Sequence, residues 1–379
     1  MKITDIKPYV LQYILPDNQR FCYSQAWYNT RTIMILKVKT DEGLTGWGEA
    51  FGPAHVNKII IDKVYAPLLK GNDPFNNEVI WEELYNCLRD NGQKGMAIEA
   101  LSAIDIALWD LKGKYAGKPV YKMMGGAFRE KLKPYATGFY RRDIDNQTEA
   151  LVEEALQYIK NVFSAIKIKI GFGIEDDIRN VKAIRKAVGE DIDIMVDANH
   201  AYNARDAITV GKQIEKYDII WFEEPVPPED KNGYIEVKDK LNIPIAGGEA
   251  EFTRFGFDDL INRRCVDIVQ ADCSVVGGLT EYKKITSMAS IQNIQCYPHV
   301  WGSSIALATG IHAAFNQPDF PGSLNPNEVY LEVDRTPNIF REKLAKESLN
   351  IKDGYIDKPE NPGLGLTIDR DLLNEYQIG

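Results

Sequence analysis

The sequence predicts an α/β protein, a barrel of parallel strands preceded by a mixed α+β domain. From about residue 126 onward, short apolar runs alternate with charged amphipathic stretches, the pattern of strands and helices in a parallel sheet. Six of those runs end in titratable residues at steps of about 25 residues, roughly the chain that one βα unit takes up. They are AIKIKIG (Lys167, Lys169), IMVDAN (Asp197), IIWFEEP (Glu223), PIAGGE (Glu249), DIVQAD (Asp272) and QCYPH (His299). Polar groups at one end of successive parallel strands converge on a single point in a closed barrel, where such folds do chemistry. An open doubly wound sheet would need a reversal of strand order, so closure is the simpler expectation.

Residues 1 to about 50 alternate in the manner of strands. ITDIKPYVLQYIL and TIMILKVKTDEGLTGWGEA read as paired antiparallel strands, with Asp41-Glu42-Gly43 as a turn. The polar, aromatic loop at about 17–31 between them has the length of a lid or binding loop. In MAIEALSAIDIALWDLKGKYAG, helical spacing puts Ala97, Ala100, Leu101, Ile104, Ala107 and Leu108 on one stripe, with Gly117 as the C-terminal cap. Barrel strands are expected near 134–138, 165–170, 192–197, 219–223, 244–248, 266–271 and 294–299, and an eighth around Leu331. The tail from 341 reads as short strands and turns that return to the first domain. The expected divisions are a capping domain over 1–125, a barrel over 126–340 and a returning segment over 341–379.

The chain has 379 residues, 44% of them hydrophobic, enough for a full core and two domains. A net charge of −10 argues against a nucleic-acid partner, whose phosphates would be repelled. Five cysteines with no CxxC pairing read as buried reduced thiols of a cytoplasmic protein. The N-terminal stretch lacks the apolar core of a signal peptide, and no segment is apolar over the ~20 residues a bilayer requires. GLTGWG at 43–48 has the wrong spacing for a nucleotide loop.

Asp197, Glu223 and Glu249 are three carboxylates at three successive strand ends. Without a cation they would repel one another, and an all-oxygen set favours a hard ion such as Mg²⁺. Helix capping by each acid is the plainer reading, but it does not account for three at matched spacing. Lys167 and Lys169 share one face of a strand, the barrel interior. Each ammonium is expected to lower the pKa of the other, which is how a lysine becomes a base near neutral pH. Asp272 on a neighbouring strand could hold His299 in one tautomer. His200 follows the first ligand by three residues and is a candidate for substrate contact.

The succession KIKIG, VDAN, FEEP, GGE, QAD and PH, with AIDIALWDLKGKYAGKPVYKMMGG upstream, resembles the enolase superfamily and its mandelate racemase subgroup over nearly the whole chain. The resemblance implies a modified (β/α)₇β TIM-type barrel with an N-terminal α+β capping domain, and Mg²⁺ on Asp197, Glu223 and Glu249. It implies Lys169 and His299, the latter with Asp272, as acid and base, and Glu332 of VYLEV as a group that hydrogen-bonds the substrate carboxylate. Lys167 and Glu332 would then donate to the developing enolate. The longer step from His299 to Glu332 requires an insertion around FNQPDFPGSLNPNE. A homo-oligomer, dimer or octamer, is also implied.

The chemistry that the resemblance implies is removal of a proton α to a carboxylate. That C–H is very weakly acidic, so a Lys or His base needs a divalent ion to stabilise the enolate as it forms. Reprotonation from the other face would make the enzyme a racemase or epimerase. Loss of a β-hydroxyl with His299 as acid would make it a dehydratase of an aldonate or aldarate, giving a 2-keto-3-deoxy acid, the outcome that the dyad favours within the subgroup. Arg20, Tyr23, Trp27 and Tyr28 of the loop suit a hydroxylated substrate, and Arg141 could hold a distal carboxylate. A non-catalytic binding barrel should lack some acid/base groups, and none is missing. A zinc hydrolase would carry His ligands.

Overall fold

A computed structural model describes residues 1–325 and 328–379. Eight parallel strands form the barrel wall: Lys131–Gly138, Ala165–Lys169, Asp193–Asp197, Ile219–Glu223, Ile245–Gly247, Ile268–Val269, Gln295–Cys296 and Tyr330–Asp334. Each pairs with its predecessor in chain order except the last, which pairs with the first. Among the described residues seven α-helices lie between consecutive strands, from Gln147–Lys160 to Ser304–Asn316, and no long helix follows the eighth strand. This is the (β/α)₇β arrangement. Among the described residues no ladder joins Gln295–Cys296 to Tyr330–Asp334. Side chains close that gap, with the Tyr297 and Tyr330 rings 5.6 Å apart and the Val300 N–H donating to Glu332 Oε2 at 3.1 Å.

The fifth, sixth and seventh strands are shorter than the apolar runs suggest, at three, two and two residues. The chain leaves the ladder before it reaches Glu249, Asp272 and His299, so these three side chains project from loops. The step to Glu332 is lengthened by the loop after Asn316, whose residues 326 and 327 lie outside the described residues. Below the site the barrel is filled by aromatics: Tyr135, Trp221, Tyr297 and Tyr330 pack with centroids 5.4 to 5.7 Å apart. That packing is the interior expected of a small barrel, a core rather than a pore.

In the cap, Ile3–Ile14, Thr30–Thr40 and Thr45–Ala50 form an antiparallel sheet in that order. It packs on the helix Met96–Ala116, whose six stripe residues are all buried and whose Gly117 caps the end in the left-handed region (φ 63°). This helix is buried on nearly every side, because the cap sheet covers one face and the barrel helix Gly278–Ile291 another. The glycines of GLTGWG serve the first contact. A Cβ at Gly48 would lie 1.9 Å from the Ala103 carbonyl oxygen, and one at Gly46 would lie 2.2 Å from that of Ala107. Their role is close approach of strand to helix.

The tail departs from the expected strands and turns by ending in a helix, Arg370–Tyr376, capped by Asp369. Gln377 bridges to Leu11 of the cap, while Ile356–Asp357 pairs with Leu132 and Lys131 of the first barrel strand. The tail therefore touches both parts of the molecule. All five cysteines are free, but Cys87 is exposed, against the expectation that all are buried. Among the described residues no helix is long and apolar enough to cross a membrane.

Candidate active site

Strand register sets the site. Lys169 pairs with Asp197 and Asp197 with Glu223, so the three stand side by side at one level of the wall. Asp197 and Glu223 are fully buried, and a carboxylate oxygen from each of Asp197, Glu223 and Glu249 lies within 4.8 Å of the others. Glu249 Oε2 is buried and makes no hydrogen bond, although His299 Nε2 is 3.2 Å away. Asp197, Glu223, Glu224, Glu249, Asp272 and Glu332 all converge here, against Lys167, Lys169 and His299. An excess of buried negative charge with oxygen donors fits a hard divalent cation.

Glu223 is oriented by three donors: Lys167 Nζ at 2.6 Å, the Gln270 amide at 2.6 Å and the Trp221 indole at 3.0 Å. Lys169 Nζ donates to Asp197 Oδ2 and, at 2.9 Å, to Asn199 Oδ1. Asn199 also gives its backbone N–H to Asp197 Oδ1 at 2.8 Å. Sequence reasoning passed over Gln270, Asn199 and Glu224. The first two sit inside QAD and VDAN, and a polar amide two residues from a charged strand-end group in an otherwise apolar run is the signal that could have found them.

Burial alone would lower both lysine pKa values, but facing carboxylates reverse this. Lys169 is raised well above its ordinary value by Asp197, and Lys167 by Glu223 and Glu332. The expected mutual depression of the two ammonium groups is therefore overridden while the carboxylates carry uncompensated charge. His299 responds in the same sense: burial lowers it, yet Glu249, Glu332 and Asp272 carry it to about 10. Its Nδ1 is 2.7 Å from Asp272 Oδ2, and Asp272 Oδ1 is fixed by the Ser274 N–H at 2.6 Å.

Glu332 faces two cations and a backbone donor. Burial favours its neutral form, but Lys167 and His299 hold it down to about 2, so it is ionised. Its oxygens accept from Thr137 Oγ1 (2.5 Å), Lys167 (2.8 Å) and the Val300 N–H. A donor role toward an enolate would require a protonated carboxyl, which these donors work against.

The loop at 17–31 folds into a short hairpin, Phe21–Cys22 with Trp27–Tyr28, that docks on the barrel mouth. Ser24 Oγ donates to the Ala198 carbonyl at 2.9 Å and the Gln25 amide to that of Asn199 at 3.1 Å. Tyr23 and Tyr28 lie 5.6 Å apart, and both feel the charges of Lys169 and Glu249. Trp27 is half-exposed at 48%. Arg20 is not brought to the centre: it pairs with Asp17 at 2.6 Å and lines an outer cavity against the helix Gln147–Lys160. Arg141 is held by backbone bonds to Cys22, and its guanidinium lies over the Phe172 ring, not toward the carboxylates. His200 is placed beside Glu224, its Nδ1 4.0 Å from Oε2. Next to His299, the Phe51 and Trp301 rings border a cavity of about 270 Å³ walled also by Thr30, Thr32, Glu49 and Asn338.

Residues 150–372 match the family described as enolase C-terminal domain-like, and residues 13–125 match the mandelate racemase/muconate lactonizing enzyme N-terminal domain. The chain belongs to the enolase superfamily. It is an enzyme of that superfamily's mandelate racemase group, as the motifs imply. It is 39% identical to a D-galactarolactone cycloisomerase of Agrobacterium fabrum (100% of this chain, 99% of the relative). An arabinonate dehydratase of Saccharolobus solfataricus is 36% identical, with 99% of each chain covered. Among solved structures, a 3,6-anhydro-D-galactonate cycloisomerase from Zobellia galactanivorans superposes with a TM-score of 0.91 at 41% identity over all of both chains.

Proposed function

We propose that this superfamily enzyme cleaves a carbon–oxygen bond β to the carboxylate of a sugar acid, with dehydration to a 2-keto-3-deoxy acid as the leading reaction. The observation that carries the reading is the placement of a lysine and a histidine on opposite flanks of the carboxylate cluster. Lys169 is on the Asp197 side and His299 on the Glu249 side. The names of the relatives, sugar-acid dehydratase and cycloisomerase, support the substrate class.

Mg²⁺ on Asp197, Glu223 and Glu249 would supply Lewis-acid stabilisation of the enolate and neutralise the charge that now holds Lys169 protonated. Lys169 takes the α proton from its flank once Asp197 no longer pulls on its ammonium. The electron pair left at the α carbon forms the enolate and expels the β oxygen. His299, kept as an imidazolium by Glu249, Glu332 and Asp272, passes its Nε2 proton to that oxygen, which leaves as water in a dehydration. The enol left behind loses its hydroxyl proton and takes up a proton at the β carbon, from solvent, to become the 2-keto acid. Tyr23 and Tyr28 of the hairpin cover the site, and the cavity beside Phe51 and Trp301 offers room for a hydroxylated chain, with Thr30 and Thr32 among largely apolar walls.

A second reading keeps the same proton transfers but makes the leaving oxygen a ring oxygen, so that the product is an isomer of the substrate. The end-to-end likeness to two cycloisomerases favours it. NMR of aldonic, aldaric, lactone and anhydro acids incubated with the protein and Mg²⁺ separates these. A 2-keto product short of one water supports dehydration, and an isomeric keto acid supports ring opening. Exchange of an α proton in D₂O with neither product would overturn both in favour of a racemase.

A further inference from the structure

One carboxylate in the site has no assigned work. Glu224 follows Glu223 directly, is 1% exposed, and neither of its carboxylate oxygens has a hydrogen-bond partner. Its backbone is in the left-handed region, φ 41°, as are Asn199 at 43° and His200 at 56° on the neighbouring loop. Side chains rarely adopt this region without compensation, and such strain collects where side chains must be aimed. Along a strand, Glu223 and Glu224 would point to opposite faces; the left-handed turn brings both to the site. Two backbone bonds fix the turn: the Glu224 N–H to the Ala246 carbonyl at 3.0 Å, and the His200 N–H to the Glu224 carbonyl at 2.8 Å.

His200 Nδ1 is also buried without a partner, 4.0 Å from Glu224 Oε2. That gap is too long for a hydrogen bond and matches a single oxygen atom held by both at about 2.8 Å. Glu249, Asp197 and Glu223 are the charges that act most strongly on Glu224. A buried carboxylate facing three others, with no donor of its own, is stabilised by positive charge nearby.

We propose that Glu224 is a positioning residue for the divalent cation: with His200 it holds one water of the cation's outer shell and so tightens cation binding. The inference rests on the cation reading above, and outer partners of this kind are worth about 10- to 100-fold in metal affinity. The test is titration of the full chain with Mn²⁺, reading free Mn²⁺ by electron paramagnetic resonance in wild type, Glu224→Gln and His200→Asn. Circular dichroism and the metal-free thermal midpoint serve as fold controls. Glu224→Gln is expected to weaken Mn²⁺ binding about tenfold or more with an unchanged metal-free midpoint, and His200→Asn to weaken it less. Unchanged affinity in Glu224→Gln would overturn the proposal. If KM for the sugar acid rises instead, the orphaned pair is a subsite for a substrate hydroxyl. A wild-type protein that binds no Mn²⁺ would overturn the cation reading itself, a result distinct from either.

Discussion

At the scale of single residues, the proposed mechanism divides the work between Lys169 and His299 by the charges around them. His299 is carried up to about 10 and enters as an acid, whereas Lys169 must first be released from Asp197. Lys169→Met should lower turnover by about 10²- to 10⁴-fold and abolish α-proton exchange in D₂O, both followed by proton NMR. His299→Asn should stop elimination to a similar degree while Lys169 still exchanges the α proton. Equal loss of exchange in both variants would remove the division of roles. Chelation by EDTA should silence both reactions in wild type, with activity restored by Mg²⁺. The residues with charge at strand ends were legible from spacing, since one titratable group per βα unit is a strong periodic signal. Glu224 was not, because spacing assigns one inward side chain per strand end and a left-handed turn adds a second. The ion pairing of Glu332 was also beyond reach, since Lys167 and His299 meet it from two other strands.

At the scale of elements, the hairpin and the loop it covers act as one unit. Gly171 sits beneath the hairpin with φ 95°, and a Cβ there would lie 2.7 Å from Ala201 Cβ and 3.0 Å from Ser24 Cβ. Gly171→Ala should therefore cost about 1–3 kcal/mol locally and lift the hairpin. The expected readout is a raised KM for the sugar acid and faster hydrogen exchange at residues 22–28; an unchanged KM would show that the hairpin does not cover the substrate. All eight barrel strands were readable within a few residues from their apolar runs. The shortness of three of them was not, because burial continues past the last strand residues through Gln270 and Ala271. The terminal helix escaped because its stabilisation comes from the Asp369 cap and from packing on the first cap strand, a contact no local pattern reveals.

At the scale of the whole molecule, buried acids join cap to barrel. Glu49 of the cap accepts from Ser303 and Ala306 at the start of a barrel helix, and Asp105 from Thr280. Burial lifts both to about 7. A carboxyl whose folded pKa is raised binds a proton in the folded chain at a pH where the unfolded chain has lost it. Its contribution is therefore present below the unfolded value, near 4, and declines as pH rises toward 7. Each such group is worth roughly 3 kcal/mol across that window. His312, pushed down to about 4 by burial, opposes this below its ordinary value of 6.5. Glu49→Gln and Asp105→Asn should each flatten the fall in thermal midpoint between pH 5 and pH 8; an unaltered slope would show that neither acid is protonated in the folded chain.

The ring of strands has one joint that sequence neighbours cannot make. Thr137 and Glu332 are 195 positions apart, yet their side chains bond where the last strand meets the first. Every other strand can zip onto one synthesised just before it, so this closure carries the largest loop-entropy cost and belongs late in folding. Glu332 also brings the charge that Lys167 faces from that side. A nascent chain would thus hold Lys167 without one of its two close carboxylate partners until its last barrel strand arrives, and chemical competence would be acquired in the same event that covers the open edge of the first strand.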